Sequence, residues 1–124
     1  MTTVIIDYNS GNLRSAEKSF QLMSEELKLG QVKVSNKPED VVNADRIVLP
    51  GVGAFADCKH ELNSIMGLFE AIDAHIKTGK PFMGICVGMQ MMATCGHEHG
   101  YHEGFNWIQA VSYTHLTLPT ILLV

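Results

Sequence analysis

The chain has no surplus of positive charge: nine Lys and Arg stand against thirteen Asp and Glu, a net charge of −4. It also has no long run of like charge, so nothing in it attracts nucleic acid or an anionic membrane surface. Cys58, Cys86 and Cys95 are odd in number and form no Cys-x-x-Cys pair. That fits a cytoplasmic chain with reduced thiols better than a secreted disulfide scaffold or a metal knuckle. The opening Thr2-Thr3-Val4-Ile5-Ile6-Asp7 lacks a basic region, and its apolar run is too short for a signal peptide or a membrane span. Phosphate and dinucleotide loops are missing as well. No GxxxxGK occurs, and Gly51-Val52-Gly53 is not followed by the third glycine of a dinucleotide fingerprint. What remains at 124 residues is one domain at most, with 46% hydrophobic residues to build a small core.

Strand and helix patterns alternate. Val4-Ile5-Ile6 is a β-branched run that ends in the loop residues Asp7 to Asn12. Leu13, Ala16, Phe20, Met23 and Leu27 recur at helical spacing and predict a stripe facing inward, with Gly30 ending the helix. Val32 and Val34 mark a half-buried strand. Ser35 or Asn36 is placed to cap a short helix with Pro38 near its start. Ile47-Val48-Leu49 is a buried strand stopped by Pro50-Gly51. Leu62 and Ile65, then Leu68, Ile72 and Ile76, mark helical segments broken at Gly67 and closed by Gly79. Phe82 to Ile85 follows Pro81 as a strand. A helix is predicted over Val87 to Thr94, with Met89 and Met92 on its buried side. Strands separated by helices imply an α/β parallel sheet flanked by helices. Ligands on such sheets bind beyond the carboxyl ends of the strands, which directs attention to Pro50–Phe55 and Cys86–Val87.

Cys86 sits between a strand and a helix in Gly84-Ile85-Cys86-Val87-Gly88. A nucleophile at such a turn needs small residues two positions to either side, and both are glycine. The turn sets the thiol at a helix N-terminus, where partial positive charge favours the thiolate. The Val87 N–H points to where an oxyanion would form. A lone cysteine is more often a small buried hydrophobe, and Cys58 and Cys95 are read that way; the paired glycines reverse the reading for Cys86. The Pro50-Gly51-Val52-Gly53 loop can present backbone N–H groups to an anion and complete an oxyanion hole. Alone, it reads as a plain turn.

Four segments occur in order: Asp7-Tyr8 with Gly11-Asn12-Leu13, Leu49 to Phe55, Gly84 to Gln90, and Glu103 to Ile108. Together they resemble the glutaminase subunits of imidazole glycerol phosphate synthase, triad-type glutamine amidotransferases of histidine biosynthesis. The resemblance covers residues 1 to 111, roughly the first half of a typical member. It implies a truncated class I glutamine amidotransferase-like, flavodoxin-like fold. It also implies that Cys86 attacks the side-chain amide of L-glutamine. By the same likeness Gly51, Val52 and Gly53 line the oxyanion side, Val87 supplies an N–H, Gln90 contacts glutamine, and Asn12 lies at the interface with a cyclase subunit, a TIM barrel that consumes the ammonia. No metal or organic cofactor is implied. Two alternatives stand beside this reading: another triad-type amidotransferase or cysteine hydrolase, and a catalytically inactive fragment that at most docks a cyclase.

The family's base, a histidine followed two residues later by a glutamate, has no counterpart here. His115 is followed by Leu116-Thr117 and offers no carboxylate at that spacing. Residues 112–124 carry no Asp, Glu, Lys or Arg and match no family segment, so they are read as a non-native tail behind a partial domain, 1–111. An edge strand from Leu116 to Val124 is the alternative, and Pro119 counts against it. A chain cut at this point should expose an apolar sheet face and an unpaired edge. His97-Glu98-His99-Gly100-Tyr101-His102-Glu103 is read as a solvated loop rather than a metal site, because His97 and His102 are five apart where HExxH requires four.

Overall fold

Val4, Ile5 and Ile6 are all shut off from solvent. Three consecutive buried residues need cover on both faces, which a central parallel strand receives. In the computed structural model, which describes residues 1–113, β1 (Thr2–Ile6) lies between β2 (Gln31–Ser35) and β3 (Arg46–Leu49), and β4 (Phe82–Gly84) pairs with β3. The order is β2-β1-β3-β4 and every pairing is parallel. The helices that connect the strands are α1 (Leu13–Leu27), α2 (Pro38–Asn43), α3 (Phe55–Ser64) and α4 (Leu68–Lys77); α5 (Val87–Met91) follows β4. The parallel sheet flanked by helices read from the sequence is therefore the observed architecture.

One sheet face is well covered. Val4 and Ile6 of β1 and Ile47 and Leu49 of β3 pack against Val41, Leu62, Leu68 and Ile72 from the helices. Gly67 separates α3 from α4 as expected and adopts a left-handed φ of 80° at the cap of α4. The opposite face carries α1, and there the expectation of an inward stripe needs correction. Leu13, Ala16 and Phe20 are half-buried, but Met23 and Leu27 are 46% and 57% exposed. Among the described residues α1 is the helix on this side, so the end of its stripe overhangs sheet that nothing else covers. Its end also differs in detail. Lys28 rather than Gly30 takes the left-handed capping position, with φ 55°, while Gly30 sits against the Met1 carbonyl, where a Cβ would approach to 2.1 Å. At α2 the cap is Lys37, not Ser35 or Asn36; the Ser35 hydroxyl instead accepts from the Lys37 N–H at 3.1 Å and donates to Asp40 at 2.5 Å.

Two further expectations are corrected. The helix after Cys86 stops at Met91, not Thr94, and its most buried methionines are Met91 and Met92, with Met89 half-buried. The carbonyls of Met91, Met92 and Ala93 are taken by the N–H groups of Phe105, Ile108 and Asn106 at 2.8–3.0 Å, so the returning chain ends the helix. The histidine-rich segment is a hairpin rather than a loop: β5 (Cys95–His97) and β6 (Tyr101–Glu103) pair antiparallel, and β7 (Val111–Tyr113) adds to β5 in parallel. Gly100, at φ 108°, occupies the turn, and Gly96 makes room for the Phe55 ring. Glycine thus serves the hairpin here. The Gly104–Trp107 segment is anchored by rings. Trp107 stacks on Phe69 at 5.8 Å and meets Phe82 edge-on at 5.6 Å, and its indole N–H donates to Asp73 at 3.0 Å. No helix among the described residues is long and apolar enough to cross a membrane. His115 and the segment Leu116–Val124 lie outside the described residues, as does all but the start of the expected 112–124 tail.

Candidate active site

The chain leaves β4 through a turn centred on Cys86, which has φ 56° and ψ −121°. An L-residue holds such a backbone only at a cost of roughly 1–3 kcal/mol, and strain of this kind concentrates where a side chain must be presented. The two glycines beside it are needed for space. A Cβ on Gly84 would lie 2.5 Å from Met92 Sδ and 2.7 Å from Met89 Cα. One on Gly88 would lie 2.0 Å from the Leu49 carbonyl oxygen. α5 therefore packs backbone to backbone against the end of β3, and the Cys86 side chain is left exposed while Cys58 and Cys95 are buried. This is the sharp strand-to-helix turn that the glycine spacing predicts.

The Pro50–Phe55 loop lies directly beside it. A Cβ on Gly51 would sit 2.6 Å from Gly88 N, 2.7 Å from the Tyr8 hydroxyl and 3.0 Å from Val87 Cβ. Three of the sequence motifs thus meet at one point. Tyr8 is fully buried and its hydroxyl donates to the Pro50 carbonyl. Burial, reinforced by the neighbouring Cys58 thiol, raises the phenol well above its ordinary range, so it stays a protonated donor. Gly11, at φ 103°, brings its loop against Pro50. Val87 opens α5, so its N–H belongs to the first turn, where no intrahelical acceptor exists. Gln90 is half-buried on the same helix, its N–H bonded to the Cys86 carbonyl at 3.1 Å. Val52 and Gly53 are exposed. Asn12 stands apart: it is exposed and caps α1, its side chain accepting from Ser15 N at 3.4 Å.

Beside Cys86 opens an apolar groove of about 660 Å³, between β4 and α1, lined among others by Phe20, Met23, Met83, Ile85, Met89 and Met92. Met83 and Ile85 are 47% and 37% exposed, and β4 is paired on one side only among the described residues. Among the described residues, the exposed apolar face and open edge expected from the sequence are therefore present. The groove lining contains no histidine and no carboxylate. His60 and His102 line a separate small hollow, and His75 is buried with Nε2 on the Pro81 carbonyl at 3.1 Å. The described histidines thus bring no base to the groove with Cys86.

Residues 4–113 match the family model described as glutamine amidotransferase class-I. The chain belongs to that family. Among its relatives are proteins named imidazole glycerol phosphate synthase subunit HisH. The protein from Cereibacter sphaeroides is 55% identical over 96% of this chain and 59% of its own length. Those from Ruegeria pomeroyi and Rhizobium meliloti are 52% and 51% identical, each over 87% of this chain and 51% of their own. The chain spans between half and three-fifths of the length of these amidotransferase relatives. Sequence reasoning did not single out Tyr8, whose buried hydroxyl reaches the Pro50 carbonyl beside the Cys86 turn. Tyr8 lay within a recognised motif, but nothing local marked its hydroxyl as the bond to Pro50.

Proposed function

We propose that this chain carries the nucleophile part of a glutaminase site whose ammonia serves a cyclase subunit in imidazole glycerol phosphate synthesis, in the cytoplasm. The observation that supports it most is the strained, glycine-flanked turn that exposes Cys86 beside the Pro50–Phe55 loop. In this reading the Cys86 thiolate attacks the side-chain carbonyl carbon of L-glutamine. The carbonyl electrons move to oxygen, and the oxyanion is met by N–H groups of Val87 and of the Gly51-Val52-Gly53 loop. Collapse of the adduct expels ammonia once its nitrogen is protonated, leaving a thioester that water cleaves to glutamate. Gln90 contacts the substrate glutamine, and Asn12 belongs to the face that meets a TIM-barrel cyclase.

Among the described residues no histidine or carboxylate lines the groove beside Cys86, and the sequence contains no His-x-Glu. This favours the second reading for the 124-residue chain itself, that it is catalytically inactive alone. A glutaminase assay with and without cyclase tests both. No meaningful turnover is expected; ammonia release matching an intact enzyme refutes the inactivity. A panel of glutamine, other amides and esters as acylating substrates separates this reading from another cysteine hydrolase. Acylation of Cys86 by amides other than glutamine as readily as by glutamine would favour the hydrolase. The division into a partial domain, 1–111, and a non-native tail, 112–124, is also proposed. The lack of charge in the tail supports it. The Cereibacter match, which takes in 96% of the chain and so runs past Tyr113, opposes it. Sequencing the source DNA across codon 112 decides, and an uninterrupted native frame there refutes the division.

A further inference from the structure

The groove between α1 and β4 is apolar, but its polar lining gathers at one end. Side chains alternate along a strand, and Ile47 and Leu49 of β3 pack on the sealed face. Arg46 and Val48 therefore take the open face, with Met83, the partner of Val48, beside them on β4. Thr3 pairs with Arg46 across β1 and β3. Ser24 donates to the Gly30 carbonyl at 2.7 Å, and Arg46 Nη2 donates to the adjoining Leu29 carbonyl at 2.6 Å. Thr3, Ser24 and Arg46 thus share one end of the groove. The other end, beyond the last residue of β4, is formed by Ile85, Cys86, Met89 and Met92. From Pro81, level with Arg46, to Ile85 is roughly 13 Å at the rise of a strand. Arg46 is the one charged side chain in the lining, and its donors are not all used. Its Nε is buried with no partner among the described residues. A buried donor left unpaired is costly, and a carboxylate is the acceptor that suits a guanidinium best.

We propose that this groove binds a single-chain fatty acid anion, its carboxylate at Arg46 and its alkyl chain running along β4 toward Cys86. The volume of about 660 Å³ is that of a small-ligand site, and the lining has the expected make-up of one, mostly apolar with a few polar groups that fix orientation. Methionine thioethers at positions 23, 83, 89 and 92 adapt to a flexible chain. The charge decides the occupant. A neutral hydrocarbon would leave Arg46 unanswered, and a second copy of this apolar face would bury two arginines without a counter-charge. A fatty acid anion matches both ends at once. Its carboxylate lies at the end away from Cys86, so the site does not depend on how Cys86 reacts.

The test titrates the full chain by equilibrium dialysis with dodecanoate, kept below the concentration at which it forms micelles, and with dodecanol as its neutral counterpart. Saturable binding of one dodecanoate per chain is expected, tighter than dodecanol on the order of tenfold, as a hydrogen bond to a charged group contributes. Arg46→Gln is expected to erase that preference by weakening dodecanoate alone, while retained dodecanol binding shows that the groove is still formed. Arg46→Lys, which keeps the charge, is expected to keep the preference. Saturating dodecanoate should also slow alkylation of Cys86 by iodoacetamide, read by mass spectrometry of the Cys86 peptide. Equal affinity for the two ligands in the unaltered chain overturns the proposal. So does a preference that persists in Arg46→Gln or is absent from Arg46→Lys. An alkylation rate at Cys86 that dodecanoate leaves unchanged overturns the placing of the chain along β4. The absence of saturable binding gives the groove to another occupant, a second copy where the chain sediments as a dimer, and overturns the proposal as well.

Discussion

Cys86 and its two glycines divide one geometric task. The cysteine holds a positive φ, and Gly84 and Gly88 clear the space that lets the turn close. The consequences for stability have opposite sign. Cys86→Gly removes backbone strain of roughly 1–3 kcal/mol, while glycine's extra freedom in the unfolded chain returns roughly 0.5–1 kcal/mol of it. A net gain of about 1 kcal/mol is expected, read as a higher urea midpoint, and Cys86→Ala should show no such gain. Gly88→Ala drives a methyl into the Leu49 carbonyl and should destabilise by about 1–3 kcal/mol in the same measurement. A neutral Gly88→Ala would mean that α5 does not pack on the end of β3 as described. Exposure separates the thiols too: Cys86 should be alkylated faster than buried Cys58 and Cys95 in the folded protein. Equal rates at all three would count against a presented nucleophile.

At the level of elements, the α4–β4 connection holds a buried titratable group. His75 on α4 is 3% exposed, and its Nε2 bonds the Pro81 carbonyl. A carbonyl only accepts, so Nε2 carries the proton and Nδ1 is the bare nitrogen, buried without a partner. Burial holds the imidazole below its ordinary pKa of 6.5. Lys80 nearby lowers it further, while the Pro81 bond and Asp45 oppose the shift. The unfolded chain therefore binds more protons than the folded one as pH falls below 6.5. Stability from this site is present above that value and declines through the window beneath it. A series of urea midpoints from neutral pH downward should fall, and His75→Gln should flatten that fall. An equal slope in the variant would assign the acid sensitivity to other groups. Asp73 shifts in the same direction but in a more acid range: the Lys77 ammonium, then the Trp107 indole, hold its carboxyl below the usual range. That anchor therefore weakens only in stronger acid.

Across the whole molecule, the two sheet faces are unequal. One is sealed by α2, α3 and α4, and the other opens into the groove between α1 and β4, with β4 unpaired on its outer side among the described residues. Apolar surface next to a free strand edge favours self-association. Met83→Lys places a charge on that edge at a residue already 47% exposed. It should reduce light scattering at a given concentration while leaving the urea midpoint within about 0.5 kcal/mol of the unaltered chain. Scattering that does not change would show that the edge is not where copies meet.

The sequence alone determined the order of strands and helices as far as the helix after Cys86, the parallel sheet, and the Cys86 turn, because each rests on local chemistry. Three consecutive β-branched residues, a 3.6-residue apolar period and glycines at fixed offsets carry their meaning within a few positions. The motifs near Tyr8, Pro50 and Cys86 also named the family. What only the tertiary structure decided involves partners distant in the chain. Ser10 meets Val52 42 residues away, and Phe105 ends α5 by taking the Met91 carbonyl. The hairpin of Cys95–Glu103 forms because its ladder and the Phe55 ring need the glycines that, read locally, suggest a loop. Likewise, the stripe on α1 was legible as apolar, but periodicity states only which side of a helix seeks cover. Whether cover is there depends on what packs opposite, and at Met23 and Leu27 nothing among the described residues does so fully.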